Sequence, residues 1–311
     1  MPFTLILPPE SPCGCGSGRP LEQCHLKDNA LDFPAAEPVP PAPMTGEQSR
    51  KCYLKFTHDC GGPISAEHMI SQAVLTEISD TKVTFNARDM SFSAHPSAHA
   101  FAVKILCKRH NSGLHRLDSE LGRFTRALKH IYRCQQERRY DDVEYFFLFN
   151  GHDLERALLK MLIAMQHHRL QRGLRLPEGV ERWLFNCDWP PGAGLYVLPR
   201  LKGERQSAFT TRGDVSFAVK HAQETIVGMD FALFGFPFML LLTHPRFLRG
   251  DWTNLTFRPG SLAFYRGNEV FVIALAWRGG GEHDQVLMAP DDPNAPIPEG
   301  ILPGAFPSLV S

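Results

Sequence analysis

The chain lacks any apolar run long enough to cross a bilayer. Its most hydrophobic stretch, residues 226–242, is interrupted by Asp230, Gly235 and Pro237 and falls short of the ~20 residues a membrane helix needs. It reads instead as two buried strands joined by a turn. The first residues, MPFTLILPP, have no basic segment and no long apolar core, so they do not read as a secretory signal. Net charge is missing too: 33 Lys and Arg balance 33 Asp and Glu, and overall composition does not mark a polyanion binder. The C-terminal half has no nucleophile motif, phosphate loop or internal repeat, and the three glycines at 279–281 lack a strand-to-helix context and read as a turn. These absences predict a cytoplasmic protein with no membrane association.

What the chain does have is length for two modest domains, 311 residues at 43% apolar content, and eight cysteines. Six of the cysteines fall beside histidines at metal-ligand spacings. That favours metal sites in a reducing compartment over a disulfide framework, and leaves Cys134 and Cys187 outside. Residues 12–25 read PCGCGSGRPLEQCH and bring Cys13, Cys15, Cys24 and His25 together, with Gly14, Gly16 and Gly18 permitting the tight turns that convergence needs. A second set comprises Cys52, Cys60, Cys107 and His110. Cys107 and His110 have ordinary zinc spacing, but the residues 53–59 between Cys52 and Cys60 exceed the usual two to four. His58 is therefore an alternative to one of those cysteines.

Beside the second set lie the segments that carry chemistry, ISAEHMI at 64–70 and LCKRHNSGLHRLD at 106–118. Phosphodiester hydrolysis requires a base for the attacking water and a cation for charge developing on the leaving oxygen. Histidine is the side-chain base suited to work near neutral pH, which makes His68 the candidate base, and Glu67 and Asn111 offer the oxygen ligands that Mg²⁺ or Mn²⁺ prefers. His115 and Asp118 follow Asn111 by one and two helical turns as further ligand candidates. Asp118 reads rather as the N-cap of a following helix, and His115 equally as a packed or solvated side chain.

Residues 52–118 resemble the HNH (ββα-metal) endonuclease family, in its subgroup with Glu-His on the strand and Leu-Cys-x-x-(Cys/His)-Asn-x-x-Leu-x-x-Leu-Asp on the helix. The resemblance implies a ββα core, His68 as general base, Glu67 and Asn111 at a catalytic Mg²⁺ or Mn²⁺, and a structural zinc at Cys52, Cys60, Cys107 and His110. The third position of the family's histidine-asparagine-histidine order is not cleanly filled. Residues 12–25 resemble the SEC-C motif, a short zinc module appended to many bacterial proteins. Cys-x-Cys, Ser17-Gly18 and Cys24-His25 match, and Leu21 stands near where an aromatic is usual. This implies a second zinc and a protein partner for the module.

The expected organisation is α+β: the SEC-C-like module at 1–26, a Pro-rich linker at 27–50 that leaves the module free to act independently, the HNH-like core at 51–118, a helical segment at 119–175, a β-rich domain of unknown role at 176–288 and a Pro-rich tail at 289–311. Leu121, Phe124, Leu128 and Ile131 recur at helical spacing. Leu154, Leu158, Met161, Leu162 and Met165 define one face of a second helix, from Asp153 to about Arg172 and stopped at Gly173, with His167 and His168 placed to meet its carbonyl end. Beyond residue 192, short β-rich segments predict an antiparallel sheet. Lys104, Lys108, Arg109, Arg116, Arg123, Arg126, Lys129, Arg133, Arg138 and Arg139 outnumber Asp118, Glu120 and Glu137 around the candidate site, as a nucleic-acid substrate requires. The expectation is a metal-dependent endonuclease acting on DNA. The alternative is an inactive, zinc-organised nucleic-acid- or protein-binding protein, or an adaptor working through the N-terminal module.

Overall fold

The structure is a computed structural model that describes residues 9–27, 30–38, 40, 43–79, 81, 83–87, 90–94, 102–137, 145–167, 173–197, 215–248, 255–266, 269–278 and 285–288. The expectations for the N-terminal eight residues, Arg138, Arg139, His168, the turn at 279–281 and the tail at 289–311 lie outside the described residues. No helix among the described residues is long and apolar enough to cross a membrane.

After the first Cys/His segment come two short paired strands, β1 (Leu26–Lys27) and β2 (Ala30–Leu31). Next are β3 (Ile64–His68), the short helix α1 (Gln72–Glu77), the hairpin of β4 (Val83–Ala87) and β5 (Met90–Ala94), and β6 (Ala102–Cys107). β6 returns to pair antiparallel with β3 and leads directly into the long helix α2 (Lys108–Glu137). Its buried residues Leu114, Leu117, Leu121, Phe124, Leu128 and Ile131 alternate steps of three and four without interruption. One helix thus runs through residue 118, where a new helix was expected. Asp118 lies in its interior and is not an N-cap; its carboxylate is taken by an ion pair described below.

The expected all-helical segment also contains a strand, β7 (Phe146–Asn150), every residue of which is buried. A strand covered on both faces shows no alternation and escapes a period-two search. β7 turns at once into α3 (Gly151–His167), whose residues 151–165 are all buried. The expected one-sided amphipathic helix is therefore a central helix, packed against α2, β3, β6, β7 and strands of both large sheets. His167, at its end, stacks on Tyr53 at 6.5 Å and has its imidazole pKa lowered by burial.

The C-terminal half supplies β8 (Gly194–Val197), β9 (Val215–Ala222), β10 (Thr225–Leu233), β11 (Phe236–Leu241), β12 (Thr256–Phe257), β13 (Ser261–Arg266), β14 (Glu269–Ala276) and β15 (Gln285–Met288). They form two mixed sheets in place of one antiparallel sheet, ordered β12-β8-β11-β10-β9-β4-β5 and β15-β13-β14-β7. β4 joins β9 in parallel, and β7 joins β14 in parallel, so each sheet recruits strands from the N-terminal half. The apolar run 226–242 forms β10 and β11 around Phe234 and Gly235. Both have positive φ, 53° and 81°, as a two-residue hairpin turn requires.

The first Cys/His segment is not held apart on a free linker. Leu148 donates its N–H to the Gly14 carbonyl at 2.9 Å, which extends the β7 edge, and Cys13 and Leu21 are buried against Phe146, Leu148, Val272 and Ala274. Gly14 serves close packing, since a Cβ there would come within 2.7 Å of the Phe146 ring; Gly16 and Gly18 serve the turns, with φ of 77° and 72°. The Pro-rich stretch continues along α3. The Ala36 N–H donates to both carboxylate oxygens of Asp153 at 3.0 and 2.9 Å, Arg156 donates to the Ala36 carbonyl at 2.8 Å, and Asn150 donates to the Phe33 carbonyl at 2.5 Å. Farther on, Thr45 is tied to Asp59 and Cys60. The backbone of Phe33 and Ala36 thus satisfies buried polar side chains of β7 and α3.

Deleting residues 1–36 should therefore destabilise the rest of the protein. Losing the charge-assisted hydrogen bonds to Asp153 and Arg156 alone costs at least about 3 kcal/mol, a fall in Tm of roughly 5 °C for a chain of this size. Thermal unfolding followed by circular dichroism checks this, and an unchanged melting curve would restore the independent module.

Candidate metal centres and active-site cleft

Two groups of four ligand atoms converge among the described residues: Cys13, Cys15, Cys24 and His25, and Cys52, Cys60, Cys107 and His110. In the second, Nδ1 of His110 lies 3.1, 3.4 and 3.9 Å from the sulfurs of Cys107, Cys52 and Cys60. A tetrahedral zinc with bonds of about 2.0–2.3 Å separates its ligands by about 3.5–3.8 Å, so the spacing fits. The opposite ring nitrogen settles the tautomer. Thr57 Oγ1 donates to the Leu54 carbonyl at 2.9 Å and so accepts from Nε2–H of His110 at 2.8 Å, leaving the Nδ1 lone pair for metal. Burial lowers the His110 pKa, which keeps the ring neutral. His58 is excluded as a ligand, because its exposed ring meets Gln48 at 3.0 Å.

Local sequence explains the convergence. Gly62, at φ 69°, turns the chain after Cys60, and the carbonyls of Gly61 and Pro63 accept from the N–H groups of Arg109 and Lys108 at 3.1 and 2.9 Å. These are first-turn donors of α2 that would otherwise be unsatisfied. Arg109 reaches back to Asp59 at 2.9 Å, whose carboxyl is held below its ordinary pKa although burial acts to raise it. Burial pushes the Cys52 thiol up to about 12 and also raises Cys60.

The N-terminal group is less enclosed. His25 meets the Asp32 carbonyl through Nδ1 at 3.0 Å, leaving Nε2 for metal, and stacks on Phe33 at 4.2 Å. The sulfurs of Cys15 and Cys24 are 3.5 Å apart. Burial pushes Cys13 up to about 12, whereas at Cys24 the effect of burial is outweighed by hydrogen bonds from Ser17, Cys15 and Cys13 and by the charge of Arg19, which lower its pKa. Both donor sets are consistent with structural zinc ions.

Between β3, α1 and α2 lies a cleft of about 540 Å³ lined by Glu67, His68, Asn111, Ser112, His115 and Asp118 among others. The candidate catalytic residues thus share one cavity. A register shift between Ser65 and Ala66 sits at its edge, where β-bulges commonly re-aim side chains. α1 forms the opposite wall. The Ser71 side chain caps it by accepting the Ala73 N–H at 3.3 Å, and Gly122 of α2 allows Ala73 to pack so closely that a Cβ would meet Ala73 Cβ at 2.6 Å. The side chains of His68 and Asn111 have no hydrogen-bond partner among the described residues. His115 is exposed and 3.4 Å from the Ser119 hydroxyl. The ligand atoms of Glu67, His68, His115 and Asp118 do not converge as the two Cys/His groups do.

Sequence reasoning missed Lys160. Its ammonium, on α3 and 1% exposed, lies 2.7 Å from Glu67 and 2.5 Å from Asp118. Burial works against its charge, but Asp118 and Glu67 outweigh that and hold its pKa above the ordinary lysine value. The available signal was its place inside the apolar run 157–165, where a charge has no exposed flank. The basic stripe is also largely committed elsewhere: Arg109 pairs with Asp59, Arg123 with Glu120, Arg126 with Glu77, and Lys129 donates to the Glu77 carbonyl. Lys104, Lys108 and Arg116 remain exposed.

No family model matches the chain, and no curated protein or solved structure shows significant similarity to it.

Elemental analysis of purified protein should return two zinc ions per chain, with Cys24→Ser and Cys107→Ser each losing one. Because the raised pKa values of Cys52 and Cys60 leave both thiols protonated at neutral pH without metal, zinc must displace those protons, and its affinity falls as pH falls. Zinc retained against a competing chelator should therefore decrease from about pH 8 to pH 6. Retention independent of pH would mean that the thiolates are already ionised.

Proposed function

We propose that the chain is a metal-dependent endonuclease of HNH type acting on DNA, with two structural zinc ions and the cleft between β3 and α2 as its active site. The observation that carries this is the β3-β6-α2 unit, whose Cys52, Cys60, Cys107 and His110 group sits one helical turn from a cleft lined by Glu67, His68 and Asn111. His68 takes the proton of the attacking water at an imidazole nitrogen. Glu67 and Asn111 would hold a divalent Mg²⁺ or Mn²⁺, which supplies electrostatic stabilisation of charge developing on the leaving oxygen. Lys104 supports a polyanionic substrate, since it stands opposite the cleft residue Ala66 and opposed residues of an antiparallel pair project to one face. Lys108 and Arg116 flank the cleft residue Ser112 four positions to either side, so all three lie along one helix face.

A second reading, a zinc-organised binding protein on the same scaffold, is favoured by one observation: Glu67 is already engaged by Lys160. In either reading the N-terminal Cys/His module acts as part of the folded body, and a protein partner would meet its exposed side.

Purified zinc-loaded protein incubated with plasmid DNA and Mg²⁺ or Mn²⁺ should nick or cut it, and His68→Ala should lose at least about a hundredfold in rate, the usual worth of a general base, with an unchanged melting curve. Equal activity in the two proteins would remove His68 from the chemistry. No cleavage by either, with DNA binding retained and weakened in the Lys104→Gln, Lys108→Gln, Arg116→Gln triple variant, would establish the binding-protein reading.

A further inference from the structure

Resting on the divalent site proposed above and adding Asp118 to it, we infer that Lys160 is the resident counter-cation of that site and sets how strongly a divalent ion is held there. The two carboxylates it bridges come from two of the three elements that build the cleft, Glu67 from β3 and Asp118 from α2, and both line it. Nζ takes one oxygen of each, Oε1 of Glu67 at 2.7 Å and Oδ2 of Asp118 at 2.5 Å. Oε2 of Glu67 and Oδ1 of Asp118 carry no other hydrogen bond among the described residues and are the oxygens left for a ligand. Lys160 cannot turn to solvent, being 1% exposed on a helix buried along residues 151–165. The hydroxyl of Tyr53 adds an independent mark of an incomplete polar site, for it is buried without a hydrogen-bond partner while Glu67 and Asp118 both act on it electrostatically.

Two carboxylates facing one cleft repel each other and would spread when no ion is present. One fixed ammonium removes that repulsion and leaves the group with a single net negative charge. The cleft is then assembled before an ion arrives, as electrostatic preorganisation demands. The same ammonium opposes the ion that binds, so affinity is modest and the ion exchanges. Lys160 is a positioning residue that acts through the carboxylates and touches neither water nor phosphate.

The test is Mn²⁺ affinity, measured by titration calorimetry on the full-length, zinc-loaded protein, which reads the site without reading cleavage. Removing the ammonium in Lys160→Met should tighten Mn²⁺ binding by about tenfold or more, the scale of one unit charge acting on a divalent ion a few ångströms away in water-like surroundings. Lys160→Arg should bind within about threefold of the native protein. Asp118→Asn, which keeps the Lys160–Glu67 pair and is the safer variant for folding, should weaken binding by about tenfold or more. Unchanged or weaker binding in a folded Lys160→Met, native affinity in Asp118→Asn, or no Mn²⁺ binding by any of the proteins would overturn the inference. Binding that follows this pattern in a protein that cuts no nucleic acid would overturn the nuclease reading and leave the role of Lys160 standing.

Discussion

A helix buried on every side keeps its charged residues only where each meets an opposite charge, because an ionised group alone in a protein interior costs several kcal/mol. α3 carries Asp153, Glu155, Arg156 and Lys160 under this constraint; Asp153 and Arg156 pair with each other along the helix, and the remaining partners lie on different elements. Asp153 and Arg156 take the backbone of Ala36, Glu155 takes Arg258 through two hydrogen bonds of 2.8 and 3.0 Å and the N–H of Leu195, and Lys160 takes Glu67 and Asp118. The N-terminal segment, the β8 and β12 edge of the larger sheet and the candidate active site are thereby registered against one helix. Replacing one member of such a pair leaves an uncompensated charge, typically worth about 3–5 kcal/mol, so these positions couple the cleft to the rest of the fold more strongly than apolar packing alone would.

The two Cys/His groups follow a different physics. Thiols at closed sites are poorly ionised until a cation compensates them, and the protein supplies the remaining hydrogen bonds beforehand: Thr57 and the Asp32 carbonyl each fix a histidine ring by its far nitrogen. The more enclosed group pins α2 to the β3–β6 pair and lies beside the cleft. The less enclosed one is stitched to the β7 edge through Gly14 and Leu148. One group thus borders the cleft and the other extends a sheet edge.

What was legible in the sequence was short-range. Cys13 with Cys15, Cys24 with His25, and Cys107 with His110 declare themselves by spacing, and Glu67, His68 and Asn111 by the company they keep. The uninterrupted three-and-four pattern from Leu114 to Ile131 was readable too, but Asp118 disguised it, because an aspartate at a presumed boundary imitates a cap. Illegible from sequence were pairings set by tertiary burial. β7 has no alternation, β4 and β5 sit inside a loop-like insertion, and the apolar flanks of Lys160 mark it as buried without naming Glu67 and Asp118 as its partners. The Pro-rich stretch misled for a related reason: its composition describes an isolated chain, while Ala36 and Phe33 supply backbone groups to buried polar residues more than a hundred positions away.

The insertion between β3 and β6 has a consequence for the order in which the protein can be made. β4 is held by β9, with Val83 opposite Val215, so the connection between the two strands of the candidate site is anchored by residues synthesised much later. Contacts of such long sequence separation form slowly and late. A chain emerging from the ribosome would present all eight residues of the two Cys/His groups while the strand that receives the insertion was still unsynthesised, so the insertion finds its place in the larger sheet only after β9 has arrived.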